Sequence, residues 1–180
     1  MLAITEDKAK TVEELINTVN YSHDEFYIPS EFALEFVNFI KLVNGGEGEE
    51  NKTPVLHYRM MDQIASGQGR LANMVHRGAA KTTLMGEYLF LYLAFTGGRL
   101  PNMSPIEFAL YVSDSIDNGV KNMRKNLQFR WENSEFLQKY VPDVKFTDIE
   151  WKFKNINGEV FIVKGYGAKT GVRGAKAMGK

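Results

Sequence analysis

The chain has 180 residues, of which 44% are hydrophobic and 12% aromatic, and its 22 basic residues balance its 22 acidic residues. This length and composition are sufficient for one globular domain with a well-formed core. Because the net charge is zero, overall charge gives no attraction to nucleic acid, and any basic surface must be local. The chain contains no cysteine, which excludes disulfides and thiolate zinc sites within it.

Metal, secretion and membrane signals are weak. The three histidines, His23, His57 and His76, are scattered without the spacing of metal ligands. The N-terminal residues turn acidic at Glu6-Asp7, where a signal peptide needs a continuous apolar core. The longest apolar stretch, residues 88–95, is far shorter than the roughly 20 residues that span a bilayer. We therefore expect a soluble cytoplasmic protein without membrane association.

The N-terminal part of the chain predicts two helices and a loop. Residues 11–20 have apolar side chains at helical spacing, and Thr11 with Glu14 forms a capping box, so we expect a short amphipathic helix. A second helix opens at residues 29–31 and is apolar around much of its circumference up to Val43. Residues 44–51 are rich in glycine and acid and predict a solvated loop. We expect this loop to separate a helical appendage, residues 1–53, from a second domain, residues 54–180.

The next three predicted elements are a helix, a strand and a helix. Residues 54–65 have a proline in the first turn and an apolar stripe, which predicts a helix. That stripe consists of Val55, Tyr58, Met61 and Ile64. Residues 71–75 form a short apolar run that predicts a buried strand, and residues 82–95 have the length and spacing of a helix.

The segment between that strand and that helix, residues 75–84, has the features of a phosphate-binding loop. A triphosphate requires converging backbone N–H groups, the positive end of a helix and a flexible cation. Lys81 would be the cation. Only Lys81-Thr82 fits the G-x-x-x-x-G-K-[ST] pattern strictly, since Val75 and Ala80 replace its two glycines. The alternative is an ordinary loop with a lysine on the first turn of a core helix.

A second strand and helix follow. Residues 97–101 interrupt the helical pattern, residues 106–112 predict another buried strand, and residues 116–130 predict a helix with an apolar stripe that includes Phe129. Strands that alternate with helices in this way are typical of a parallel sheet with right-handed crossovers.

The last predicted elements are a short helical piece and a hairpin. Residues 136–140 are the helical piece, and residues 149–154 and 159–164 alternate around Asn157-Gly158, which predicts a β-hairpin. Residues 165–180 are glycine-rich, basic and free of acids, and we expect them to form an active-site loop.

Several of these features together resemble the large terminase subunits, the ATPase motors that pump DNA into the capsids of tailed bacteriophages. The resemblance covers residues 55–180 and depends on their order: the loop with Arg77, Gly78 and Lys81-Thr82-Thr83, the strand and helix after it, the hairpin, and residues 171–174 (Gly-Val-Arg-Gly). It implies an α/β fold of the P-loop NTPase type, with a mostly parallel sheet flanked by helices, an N-terminal helical appendage and a β-hairpin.

The resemblance also implies roles for particular residues. The nucleotide-binding set consists of Arg77, Gly78, Ala79, Ala80, Lys81, Thr82 and Thr83, with Tyr58 and Gln63 as the pair that meets the adenine. The alternative for Tyr58, which its place on the apolar stripe favours, is a core tyrosine. Lys81, Arg77 and Arg173 are the implied catalytic residues, with Arg173 as a finger that reaches a neighbouring subunit's nucleotide. Thr82 is the implied ligand of a nucleotide-bound Mg²⁺.

The implied cofactors are ATP and Mg²⁺, and the implied partners are double-stranded DNA, the portal protein and the small terminase subunit. The complete motor would be a ring of identical subunits in the host cytoplasm during virion assembly. In the family, an apolar strand ending in paired acids holds the magnesium, and we expect it beyond Lys180, in a longer polypeptide or a companion chain. Asp114 and Glu150 are the candidate substitutes here, and Asp114 is the better placed because it follows a predicted parallel strand. The alternative is a module that binds nucleotide or a partner without hydrolysis.

Overall fold

A computed structural model describes residues 27–46 and 53–168 and the backbone of Val19–Asn20. The chain divides into two compact units between Ala79 and Ala80, with Leu100–Met103 assigned to the first unit. Outside the described residues lie residues 11–18 of the helix predicted for residues 11–20, most of the acidic loop, and residues 169–180, which include Arg173. The predicted domain boundary at residue 53 stays a prediction.

The first unit contains two packed helices, α1 (Glu31–Val43) and α2 (Val55–Ala65). Ser30 caps α1, because its hydroxyl accepts from the N–H of Ala33 at 3.2 Å. Asp62 of α2 joins the two helices: its carboxylate accepts from the backbone N–H of Ser30 at 3.0 Å, from the Ser30 hydroxyl at 2.6 Å and from the Tyr27 hydroxyl. Both predicted helices are therefore confirmed.

The buried side of α2 is the predicted stripe, and Tyr58 within it is fully buried. Two short strands, β1 (Val19–Asn20) and β2 (Thr53–Pro54), pair in parallel before α2. The prediction that the first helix extends to Asn20 is wrong at its last two residues, because these residues are extended and hydrogen-bond to β2.

The predicted strand at residues 71–75 is wrong, since this segment has no regular structure and joins neither sheet. Met74 is 95% exposed, so the segment is not a buried apolar run either. Val75 is its one β-branched residue, and a strand this short forms only where a neighbouring strand completes its hydrogen bonds.

The second unit begins with the loop helix, which we define as the π-helical segment Thr83–Tyr88 together with α3 (Leu89–Thr96). Residues 81 and 82 precede it in helical conformation. The helix predicted for residues 82–95 is confirmed, with the addition that its first turns are π-helical. Gly97 ends it at φ +67°, a left-handed conformation that glycine adopts readily.

A four-stranded sheet follows, in the order β3 (Phe108–Ser113), β6 (Val160–Gly167), β5 (Glu150–Lys154) and β4 (Asp143–Phe146). β3 and β6 are parallel, whereas β6–β5 and β5–β4 are antiparallel. The expected mostly parallel sheet is therefore a mixed sheet. The hairpin of β5 and β6 around Asn157-Gly158 is confirmed, with Gly158 at φ +80°. β4 was not predicted.

β3 differs from its prediction in burial. The predicted strand at residues 106–112 exists as β3, but β3 is an edge strand on which Leu110 is 44% and Val112 53% exposed. The face of β3 that carries these two side chains is therefore open to solvent. A strand buried on both faces would expose neither of them.

Helices cover one face of the sheet. After β3 come a π-helical segment (Ile116–Val120), α4 (Lys121–Glu132) and α5 (Glu135–Tyr140), which agree with the predicted helices. Phe90 of α3 contacts Trp151, Phe161 and Tyr111, with ring centroids 6.1–6.5 Å apart. Phe129 is 65% exposed, so its predicted place on the apolar stripe is wrong. Within the described residues no helix has the length and apolar character that a bilayer crossing requires.

Candidate phosphate-binding site

The residues before Lys81 adopt left-handed backbone conformations at two positions. Gly78 has φ +90° and Ala80 has φ +50°. Left-handed conformations are common for glycine but cost an alanine about 1–2 kcal/mol. Ala80 therefore occupies a position that favours glycine, and the phosphate-loop pattern has a glycine there.

The residue between them is held in place within the first unit. Ala79 is buried, and its N–H donates to the carbonyl oxygen of His76 at 3.4 Å. Nε2 of His57 lies 3.1 Å from the carbonyl oxygen of Ala79, which requires the tautomer with a proton on Nε2. His57 was not predicted to contact the loop, and the sequence contains no local signal for this contact.

The helical conformation starts immediately after Ala80. The N–H of Leu84 donates to the carbonyl oxygen of Ala80 at 2.8 Å, which closes the first turn. The first-turn N–H groups, including those of Thr82 and Thr83, have no acceptor within a helix, and the helix dipole makes this end positive. Thr82 is exposed, and Lys81 and Thr83 are half-buried.

The far end of the loop helix is fastened to the turn before β6. The guanidinium of Arg99 donates to both carboxylate oxygens of Glu159 and to the carbonyl oxygen of Thr96, the last at 2.8 Å. Asn155 Nδ2 donates to the carbonyl oxygen of Phe95 at 3.2 Å. Hydrogen bonds from Arg99 and Asn155 lower the pKa of Glu159 below its ordinary value.

These contacts determine the direction of the loop helix. Its end lies beside the start of β6, whereas Phe90 in its middle contacts Tyr111 of β3, which pairs with Gly165 near the end of β6. The helix therefore runs antiparallel to β6, and its start is directed toward the edge at which β3 and β6 end. Ligands of open α/β sheets bind at this edge, outside the carboxyl ends of parallel strands.

Polar groups lie at the same edge. The N–H of Ala168, just after β6, donates to the carbonyl oxygen of Ser113 at 2.6 Å. Asp114 is exposed, and its Oδ1 accepts from the N–H of Ser115 at 2.8 Å and from the Ser113 hydroxyl at 3.1 Å. Glu150, the other candidate acid, is exposed on β5, as its alternation predicted.

Comparisons of this sequence and structure with protein-family models, with curated proteins and with solved structures return no match.

The two residues expected to meet the adenine do not share a surface. Tyr58 is fully buried, as its alternative prediction as a core residue requires, whereas Gln63 is exposed. Five helical residues correspond to a rotation of about 140° at 3.6 residues per turn, so the two side chains point in different directions.

Arg77 is exposed. Within residues 27–46 and 53–168, no three histidine or carboxylate side chains converge as a metal site.

A buried polar cluster in the loop helix was missed by sequence reasoning. Glu87 is 4% exposed and accepts from Asn126 Nδ2 at 2.9 Å and from Arg130 Nε at 2.5 Å. Arg130 also donates to the Tyr88 hydroxyl at 2.5 Å, and its guanidinium carbon lies 4.3 Å from the centre of the Tyr88 ring. The available signal was a single carboxylate in an otherwise apolar helical stretch, because a charge there requires a partner.

Proposed function

We propose that the start of the loop helix binds the phosphates of ATP, and that the chain is the ATPase part of a viral DNA-packaging motor of the large terminase type. The observation that carries the proposal is the left-handed Ala80 directly before Lys81, at a helix start directed toward the carboxyl edge of a parallel strand pair. This arrangement supplies donors and positive potential where a phosphate needs them.

The roles of individual residues follow from their chemistry. Lys81 would pair with the β- and γ-phosphates, and the hydroxyl of Thr82 would help to hold a nucleotide-bound Mg²⁺. Arg77, Gly78, Ala79, Ala80 and Thr83 complete the proposed nucleotide-binding set. Asp114 is an exposed carboxylate at the same edge of the sheet, and it would be available to contact such a magnesium ion through water.

The motor function rests on the terminase resemblance, and the fold is compatible with it through the order of its elements. After the loop, the elements follow in the order helix, strand, helices, the unpredicted strand β4, and hairpin. Under this proposal the partners are double-stranded DNA, the portal protein and the small terminase subunit, in a ring assembled in the host cytoplasm.

A second candidate is a module that binds nucleotide or a partner without hydrolysis. It is favoured by the irregular segment 71–75, since a P-loop motor requires a strand before its loop to hold the phosphates rigidly. The mixed sheet, in which one of the strand pairings is parallel, points the same way.

Titration calorimetry with ATP and Mg²⁺ tests the binding site. Lys81→Ala should lower the affinity at least tenfold, since each charge-assisted hydrogen bond contributes about 1.5–3 kcal/mol. Lys125→Ala is the matched control, because Lys125 is an exposed lysine on α4. Equal affinity of the Lys81→Ala variant and the wild type would rule out this site. Phosphate release with added DNA then separates the two candidates, since sustained turnover supports the motor and binding without turnover supports the module.

A further inference from the structure

The sheet has a second face, opposite the side on which Phe90 packs. On β5, the exposed Glu150, Lys152 and Lys154 alternate with the buried Trp151 and Phe153. The strand registers extend this face across the sheet, because residues paired across strands share a face, and Ile162, opposite Lys152, is the buried residue at its centre. We call this surface the lysine face and define its basic half by Lys145 of β4, Lys152 and Lys154 of β5, and Lys164 of β6.

The positions of the lysines in the basic half destabilise the folded state. Lys145 lies directly opposite Lys152 in the antiparallel β4–β5 pair, and like charges in this position are destabilising. Asp143 and Glu150 are the acids on this face, opposite Lys154 and Lys164. Among the described residues, Lys145, Lys152 and Lys154 form no ion pair, so their ammonium groups are available to an external anion.

The other half of the lysine face is apolar. Leu110 of β3 pairs with Lys164 and Val112 pairs with Tyr166, so these side chains continue the same face across β6 to the sheet edge. Leu110 is 44% and Val112 is 53% exposed. The ammonium of Lys164 lies 5.9 Å from the centre of the Tyr166 ring, at the junction of the two halves.

We propose that the lysine face binds a single strand of nucleic acid, with its phosphates on the basic half and its bases on Leu110, Val112 and Tyr166. A single strand presents a charged side and an apolar side together, as this face does. A duplex presents only phosphates outside its grooves and would leave the apolar half uncovered. The inference is independent of ATP binding, since it uses no residue of the loop helix.

Fluorescence anisotropy of the full chain with a labelled single-stranded oligonucleotide, without nucleotide, tests the basic half. Each lysine that contacts a phosphate of a single strand contributes about −0.7 to the slope of log affinity against log salt. Lys152→Gln with Lys154→Gln should therefore reduce the magnitude of the slope by about 1.4 and weaken binding severalfold at low salt. The same pair of substitutions at Lys125 and Lys139, which are exposed lysines of α4 and α5, is the matched control and should change neither.

Further measurements distinguish weaker binding of the oligonucleotide from loss of folding, and a single strand from other ligands. Lys152→Gln removes the like-charge pair, so its thermal midpoint should equal or exceed that of the wild type while its binding weakens. Val112→Ser should weaken binding with an unchanged salt slope, because it removes an apolar contact only. The proposal is overturned if the control pair has the same effect as the lysine-face pair. Tighter binding of the duplex, or equal displacement by polyglutamate of matched charge, would also overturn it.

Discussion

Arg130 of α4 donates to the buried carboxylate of Glu87 in the loop helix at 2.5 Å, and the Glu87 side chain is 5% exposed. Asn126 donates to the other carboxylate oxygen. Both oxygens therefore have a donor from α4, and the loop helix is joined to α4. Since breaking a buried ion pair leaves a charge without a partner, this pair is the point at which a single substitution should loosen the loop helix.

Arg130→Met should lower the free energy of unfolding by about 2–4 kcal/mol, because Glu87 would then be buried without its cation. Arg130 keeps 24% of its side chain exposed, so we expect a smaller loss than the roughly 3–5 kcal/mol of fully buried pairs. Urea denaturation at neutral pH measures the change. Glu132→Gln, an exposed substitution two residues further along α4, should stay within about 0.5 kcal/mol of the wild type. A loss as small for Arg130→Met would show that the pair contributes little.

Ala80→Gly should raise the free energy of unfolding by up to about 1 kcal/mol, because it removes the cost of a left-handed alanine. The greater entropy of glycine in the unfolded chain offsets part of this gain. Gly78→Ala should lower it by about 1–2 kcal/mol, since no atom lies within 4 Å of the added methyl group and the cost is conformational alone. The two substitutions are the reverse of each other, so denaturation midpoints that move in the same direction would refute the assigned backbone conformations.

The Arg99–Glu159 pair predicts a component of stability that depends on pH. Hydrogen bonds lower the pKa of Glu159 in the folded state, so the contribution is present above the ordinary glutamate value of about 4.3 and is lost as pH falls through the lower folded value. Glu159→Gln should therefore lose more stability relative to the wild type at pH 7 than at pH 3. The free energy of unfolding in urea at the two pH values provides the measurement, and an equal difference at both would contradict the assignment.

Arg173 lies outside the described residues, and its role as a finger stays a prediction from the terminase resemblance. If it acts on a neighbouring subunit, Arg173→Ala should slow ATP hydrolysis by about 10³ or more and leave ATP binding nearly unchanged. In the assembled ring, a mixture of Arg173→Ala and Lys81→Ala subunits should recover part of the activity, because some interfaces then combine an intact loop with an intact finger. If the mixture were as inactive as either variant alone, Arg173 would not act on the nucleotide of a neighbouring subunit.

The elements that the sequence determined by itself are those whose signals are local. Ser30 caps α1 through a hydrogen bond to Ala33, three residues away, and Asn157-Gly158 closes the hairpin of β5 and β6. The start of the loop helix beside Lys81 belongs to the same group. In each case the deciding interaction lies within one or two turns of the chain, so residue type and spacing are sufficient.

Only the tertiary structure decided which strands pair and which faces are covered. Residues 71–75 and 106–112 both read as buried strands, yet the first is irregular and the second is an edge strand, because a strand exists only where another segment completes its hydrogen bonds. The partnership of Glu87 with Arg130, 43 residues apart, and the lysine pair of the sheet face likewise arise from long-range packing. Local spacing contains no information about such partners, since it specifies the face of an element and not what packs against that face.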